Sequence, residues 1–257
     1  MTNIQSAENK ASTCKISKIS KIALICLLSG LLNTLISYLL NGVCGLPLYL
    51  DTLFTIAVFF SLGIIPALIT AILLPVFTTF EYIYLMNLEA ETAWWTYLFV
   101  LCVIFEVFLV FIFRNKIKPL DASFRKKPTL YTFINLATLL MLIVVFDCIV
   151  VSITGGIIDF FLTMLSAPKA FYPEDSFKLG LLRNNVPLLA SAILSRIPIN
   201  IVDRFFVIFG GYGVSLLYRK FLKRDDKIPL KERLKNYSGN YKTEEWDTGE
   251  PVGRELP

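Results

Sequence analysis

The sequence predicts an all-α polytopic integral membrane protein, a bundle of about six transmembrane helices, and three observations predict it. Asp51 stands alone in an otherwise uncharged run from Ile22 to Phe80, with twenty-nine uncharged residues on either side. A bilayer helix needs roughly 20 consecutive apolar residues, and no soluble domain requires so long an unbroken run. The chain is 55% hydrophobic with a mean hydropathy of +0.64, which leaves too little polar sequence for a globular catalytic domain. Finally, eighteen of the twenty-five basic residues fall in three clusters, Lys10 to Lys21, Arg114 to Lys127 and Arg219 to Lys235. That is the pattern of basic loops retained on the cytoplasmic side.

Taken in order, a polar N-terminus (1–20) is expected in the cytoplasm, and helix one from about Lys21 to Asn41. The first apolar segment is of full spanning length and lacks a small-residue cleavage site, so it reads as a helix and not as a cleaved signal. An outer turn with Gly42, Gly45 and Pro47 leads into a short helix two, about Pro47 to Gly63, carrying Asp51 near its outer end. Gly63-Ile64-Ile65-Pro66 predicts a tight inner turn, and Pro75 a kink in helix three, which rises to about Met86. Glu89 and Glu91 mark an acidic outer loop, and Trp94, Trp95 and Tyr97 an interfacial aromatic belt. Helix four is expected to run to Phe113 and helix five from Thr129 to Ser152.

The segment 153–186, with Gly155-Gly156, Asp159, Pro168 and Pro173, is too polar to span and reads as an outer loop with interfacial or re-entrant helices. Val186 to Tyr218 as one helix would extend ~50 Å at 1.5 Å per residue, too long for a ~30 Å hydrocarbon core. Pro198 is expected to divide it, the second piece spanning from about Ile199 to Tyr218. The transmembrane domain is thus 21–218, with both termini cytoplasmic. Residues 219–257 form a basic segment and then a polar tail with too little apolar surface to offset its ordering entropy.

The net charge of +5 belongs to the helix-end clusters, so no nucleic-acid partner is implied; the clusters also suit anionic lipid headgroups. Five cysteines (Cys14, Cys26, Cys44, Cys102, Cys148) form no close pair of metal-ligand spacing and read as reduced packing residues. There is no histidine, which excludes imidazole ligation of haem or zinc, a Ser-His-Asp triad and imidazole proton relays. No metal or cofactor is expected. Nor is an enzyme, since no nucleophile with a positioned base is visible.

The charges inside the apolar segments are where function is sought, because a carboxylate in lipid costs at least ~2.5–3.5 kcal/mol and must face protein or water. Asp51, Glu81, Asp147 and Arg196 fall in the outer half, Asp203 and Arg204 near the middle of the last helix, and Glu106 nearer the inner face. Arg196, Asn200 and Asp203 follow at +4 and +7, one polar stripe on a continuous helix. Asp51, Asp147, Arg196, Asn200, Asp203 and Arg204 are the candidate substrate-binding residues, with Tyr49 and Tyr172 available to stack on a flat solute. Salt bridges that hold the helices in register are the alternative reading. Glu106 could equally snorkel toward the cytoplasm and is left out of the pocket, and Glu81 can mark the outer end of helix three. Gly210-Gly211 and Gly213 offer a smooth surface for close helix approach. Cys26-xxx-Gly30-xxx-Thr34 reads as a close-packing face on helix one, serving either intramolecular packing or a second membrane subunit.

The run Leu46-Pro47-Leu48-Tyr49-Leu50-Asp51-Thr52-Leu53-Phe54-Thr55, the hairpin Leu62-Gly63-Ile64-Ile65-Pro66-Ala67-Leu68-Ile69-Thr70-Ala71 and the final Pro198-Ile199-Asn200-Ile201-Val202-Asp203-Arg204 with Gly210-Gly211-Tyr212-Gly213 resemble the membrane-embedded S components of energy-coupling-factor vitamin transporters, in particular spirochaete-type members. The resemblance covers most of the spanning region and neither tail. It implies a solute-binding subunit in the bacterial cytoplasmic membrane that captures a small molecule from outside. It also implies two partners, a transmembrane coupling protein and a pair of cytoplasmic ATPases. Such subunits typically dock the coupling protein through an Ala-xxx-Ala motif, which Cys26, Gly30 and Thr34 only approximate here. Metal-transporting members use an N-terminal histidine, absent from this chain, so nickel and cobalt are not implied. Related modules fused to signalling domains leave a membrane sensor or assembly module without transport activity as the alternative.

Overall fold

In the computed structural model the chain divides into two units, Met1–Lys220 and Phe221–Pro257. The described residues are 2–85, 94–165 and 174–223, with side chains placed from residue 19 onward except at 96 and 223. Of the second unit, only the last turn of the final helix is described. Glu89, Glu91, Pro168, Tyr172, Pro173 and the polar tail lie outside the described residues.

The first unit is helical, with no strand among the described residues. Helix α1, Thr2–Ser37, ends in a wide π-helical turn, Tyr38–Val43. Helix α2 is Leu53–Leu62, and α3 is Ile64–Phe80 with a π-helical extension, Glu81–Leu85. A 3₁₀ turn, Thr96–Phe99, opens α4, Val100–Lys126, and α5 follows at Leu130–Met164. The chain closes with α6, Asp175–Arg183, α7, Leu188–Leu194, and α8, Ile197–Lys223.

Among the described residues, four helical stretches are long and apolar enough to cross a membrane: Ile19–Val43, Ile64–Leu85, Tyr97–Lys126 and Leu130–Met164. The expected second span is a 10-residue helix, about 15 Å long at 1.5 Å per residue and so half the hydrocarbon thickness. Large apolar side chains line the outward faces, as a lipid-facing surface requires; Leu24, Leu27, Leu31 and Leu35 on α1 are each about half exposed.

Each departure from the expected boundaries has a local cause. Helix α1 begins at Thr2 instead of Lys21; residues 2–20 hold neither Gly nor Pro, and extending an anchored helix is cheap once it is nucleated. Asp51 lies in the turn before α2, not on it, because Leu50 takes a left-handed backbone, φ 46°, and holds the chain irregular up to Thr52. Gly63, at φ 99°, makes the sharp α2–α3 turn that a side chain would oppose. Pro66 then sits in the first turn of α3, where its missing N–H has no partner to lose.

Helix α4 continues beyond Phe113 through the basic cluster to Lys126. Helix α5 starts at a capping box between Thr129 and Thr132 and does not stop at Ser152. It runs through Gly155-Gly156, and the expected irregular segment is helical as far as Met164. Those glycines serve packing: a Cβ on Gly156 would stand 2.6 Å from the Ile193 side chain and 2.8 Å from its Cα, so α7 crosses α5 at that point. The last apolar stretch breaks at Ser195-Arg196, before Pro198. Proline is tolerated in the first turn of α8, and its ring clashes with a helical carbonyl four residues earlier.

Two further contacts set the bundle. A Cβ on Gly211 would lie 2.9 Å from the Leu53 carbonyl oxygen and from Ile56, so α8 presses its backbone onto α2. Near the basic end of α4, buried Asp121 accepts from Arg219 at 2.8 Å and 3.0 Å, from Arg125 at 2.8 Å and from Tyr212 at 2.7 Å. Arg219 also donates to the Phe60 carbonyl, tying the ends of α2, α4 and α8 together.

Candidate functional site

The α7–α8 break and the irregular stretch before α2 place their polar groups around one cavity of about 120 Å³. Leu74, Pro75, Phe99 and Val103 give it apolar walls, and Tyr49 and Tyr82 add phenol rings.

Arg204 is the centre of its charged side. One terminal nitrogen donates to Glu106 Oε2 at 2.8 Å and to Thr52 Oγ1 at 3.0 Å. The other pairs with Asp203 and lies 3.6 Å from Asp51 Oδ1. Thr52 donates in turn to Glu106 Oε1 at 3.2 Å, so both Glu106 oxygens are engaged. Asp203, fully buried, accepts through Oδ1 from the backbone N–H groups of Tyr49 and Leu50, each at 2.9 Å. Those bonds hold the left-handed Leu50, a conformation that costs a non-glycine residue about 1–3 kcal/mol.

Arg196 forms the other pole. Its guanidinium pairs with Glu174 Oε1 at 2.8 Å and lies 5.2 Å from the centre of the Phe99 ring. It rests against α5 at Gly155, where a Cβ would stand 3.0 Å from Nη1. Glu174 Oε2 accepts from the Tyr49 hydroxyl at 2.5 Å. The Nε groups of both Arg196 and Arg204 are buried without a hydrogen-bond partner among the described residues.

Of the six residues singled out from sequence, Asp51, Arg196, Asn200 and Arg204 line the cavity. Asn200 is held by a 2.8 Å bond from Nδ2 to Ser152 Oγ. Asp203 and Asp147 stand behind the wall. Asp203 positions Arg204 and the Tyr49-Leu50 backbone. Asp147, wholly buried on α5, faces the Glu106 carboxyl, and no N–H or hydroxyl among the described residues donates to its oxygens. Tyr49 lines the cavity edge-bound to Glu174 and is committed to that hydrogen bond.

Three contributors escaped the sequence reading. Glu106 does not snorkel; it is fully buried and carries the main ion pair of Arg204. It is the sole charge between Thr92 and Phe113, and because α4 runs on to Lys126 it stands in the outer part of that helix and not near its inner end. Thr52 gave no signal beyond standing next to Asp51. Glu174 lay in the stretch read as a loop, where an acid is unremarkable.

The small-residue face of α1 is occupied from within the chain. Cys26 Sγ approaches the Pro66 carbonyl at 3.5 Å, and a Cβ on Gly30 would meet the Phe77 ring at 3.0 Å. Among the described residues no group of three or more Cys, Asp or Glu is placed to hold a metal ion. No family model matches this chain, and neither curated proteins nor solved structures gave a match.

Proposed function

We propose that this chain is a membrane-embedded solute-binding subunit of an importer of the energy-coupling-factor type, capturing a small solute in a pocket that faces outward. One observation carries the reading: a cavity inside a bundle of membrane-length helices, walled by two buried arginines with unused Nε donors and by a partly exposed aspartate. A membrane interior holds such groups only at a cost that protein contacts or a ligand must offset. The cavity lies toward the end of the bundle opposite the basic segment 114–127. Under the positive-inside rule that end faces outward from a bacterial cytoplasmic membrane, with both termini inside. Binding is favoured over catalysis because Glu106, Asp203 and Glu174 are already committed to ion pairs and hydrogen bonds.

The transmembrane coupling protein and the ATPase pair belong to this proposal through the resemblance. With Cys26 and Gly30 covered by α3, docking of a coupling protein would use the exposed Leu24, Leu27, Leu31 and Leu35 face of α1 instead. The same covered face favours, as a second reading, a membrane sensor or assembly module without a transport cycle.

Affinity purification in mild detergent, with mass spectrometry of copurifying proteins and small molecules, separates the two. Recovery of a coupling protein with ATPases, or of a bound solute, supports the importer. A signalling protein instead, or lipid alone, overturns it.

A further inference from the structure

Resting on the solute-binding reading, the geometry points to the class of solute: we infer that the cavity takes a small zwitterion, its ammonium group at Asp51 and its carboxylate or similar acceptor at Arg196.

The wall carries more carboxyls than guanidiniums. Asp51, Glu106 and Glu174 face Arg196 and Arg204, three carboxyls against two guanidiniums, and Asp147 and Asp203 stand directly behind. A purely anionic solute would leave these carboxyls without a donor to answer them, a mismatch that counts most where water is excluded.

Among those carboxyls, Asp51 is the most open and the least tightly held. Glu106 and Asp203 have both oxygens engaged, and Glu174 is held by Tyr49 and Arg196. The nearest cation to Asp51 is Arg204 at 3.6 Å, beyond hydrogen-bond distance, and its side chain is 36% exposed in the cavity wall. It is placed to accept from a cationic N–H donor.

A bare amine would answer only half the site. Arg196 is nine-tenths buried, yet its Nε has no hydrogen-bond partner among the described residues, and the carboxylate it pairs with, Glu174, is shared with the Tyr49 hydroxyl. A buried donor without a partner is costly, and an acceptor on the solute would recover that cost. Phe99 beneath the guanidinium and the Leu74-Pro75 wall suit the short apolar link between the two ends.

The test is thermal unfolding of the purified full chain in detergent with millimolar concentrations of each standard amino acid, of putrescine and of succinate in turn. The inference predicts that at least one amino acid raises the midpoint by several degrees, more than putrescine or succinate does, and that Asp51→Asn removes the shift. The Asp51 side chain is partly exposed and its nearest cation stands 3.6 Å away, so this variant is expected to fold, with a ligand-free midpoint close to wild type. A shift with succinate alone, or one that survives in Asp51→Asn, overturns the inference while leaving the cavity a solute site. No shift with any probe overturns it as well, and the copurification experiment then decides the binding reading separately.

Discussion

Arg204 on α8 and Glu106 on α4 meet at 2.8 Å with both side chains withdrawn from solvent, and around that pair the bundle arranges Thr52, Asp51 and Asp203. A guanidinium so placed offsets several carboxyls at once, and its removal leaves them buried and uncompensated. Arg204→Met is expected to cost about 3–5 kcal/mol and to fail to accumulate in membranes. Arg204→Lys should recover only part of this, since an ammonium cannot reproduce the planar fork. Detergent-solubilised yield and melting temperature of the two variants check the order.

The turn before α2 is held by one side chain. Asp203→Ala removes the acceptor of two backbone N–H groups, at roughly 1–3 kcal/mol each, and releases the left-handed Leu50. Hydrogen exchange at Tyr49 and Leu50 should accelerate by at least an order of magnitude, while amides in the middle of α5 stay protected.

Asp147 is buried beside the Glu106 carboxyl with no N–H donor among the described residues on either oxygen. Asp147→Asn keeps the shape and presents N–H donors to Glu106. A melting temperature equal to wild type or higher by a few degrees is expected, corresponding to about 1 kcal/mol. A large loss would mean that the carboxylate is needed for pairing.

Two glycines should respond in opposite ways. Gly156→Ala drives a methyl into the Ile193 backbone, where nothing flexible can yield, and is expected to destabilise by about 1–3 kcal/mol. Gly213→Ala meets open space on a helix and should be neutral or stabilising by up to about 1 kcal/mol. Parallel thermal melts of the two proteins suffice.

The sequence made some of this legible because certain residues act locally. Gly63, Pro66 and Pro198 impose backbone geometry wherever they stand, and a single charge in a long apolar run, such as Asp51, must find protein or water. Helix ends were less legible. Lys126 and Thr2 lie far beyond the apolar runs they extend: residues 2–20 hold neither Gly nor Pro to stop α1, and α4 carries Pro119 within it without ending there. Gly155-Gly156 looked like a chain break and is instead a crossing point, a distinction made by Ile193 some forty residues away. Glu106 and Glu174 joined the site through tertiary packing alone, which no local pattern encodes.

The central claim, a solute cavity between Asp51 and Arg196, is tested most directly by native mass spectrometry of the protein released from mild detergent, wild type beside Arg196→Gln. The account predicts a small-molecule adduct on wild type that is absent from a variant of the same folded charge-state distribution. An adduct-free wild type, or an adduct unchanged by the substitution, would contradict it and leave the charged cluster as a set of salt bridges that hold the helices in register.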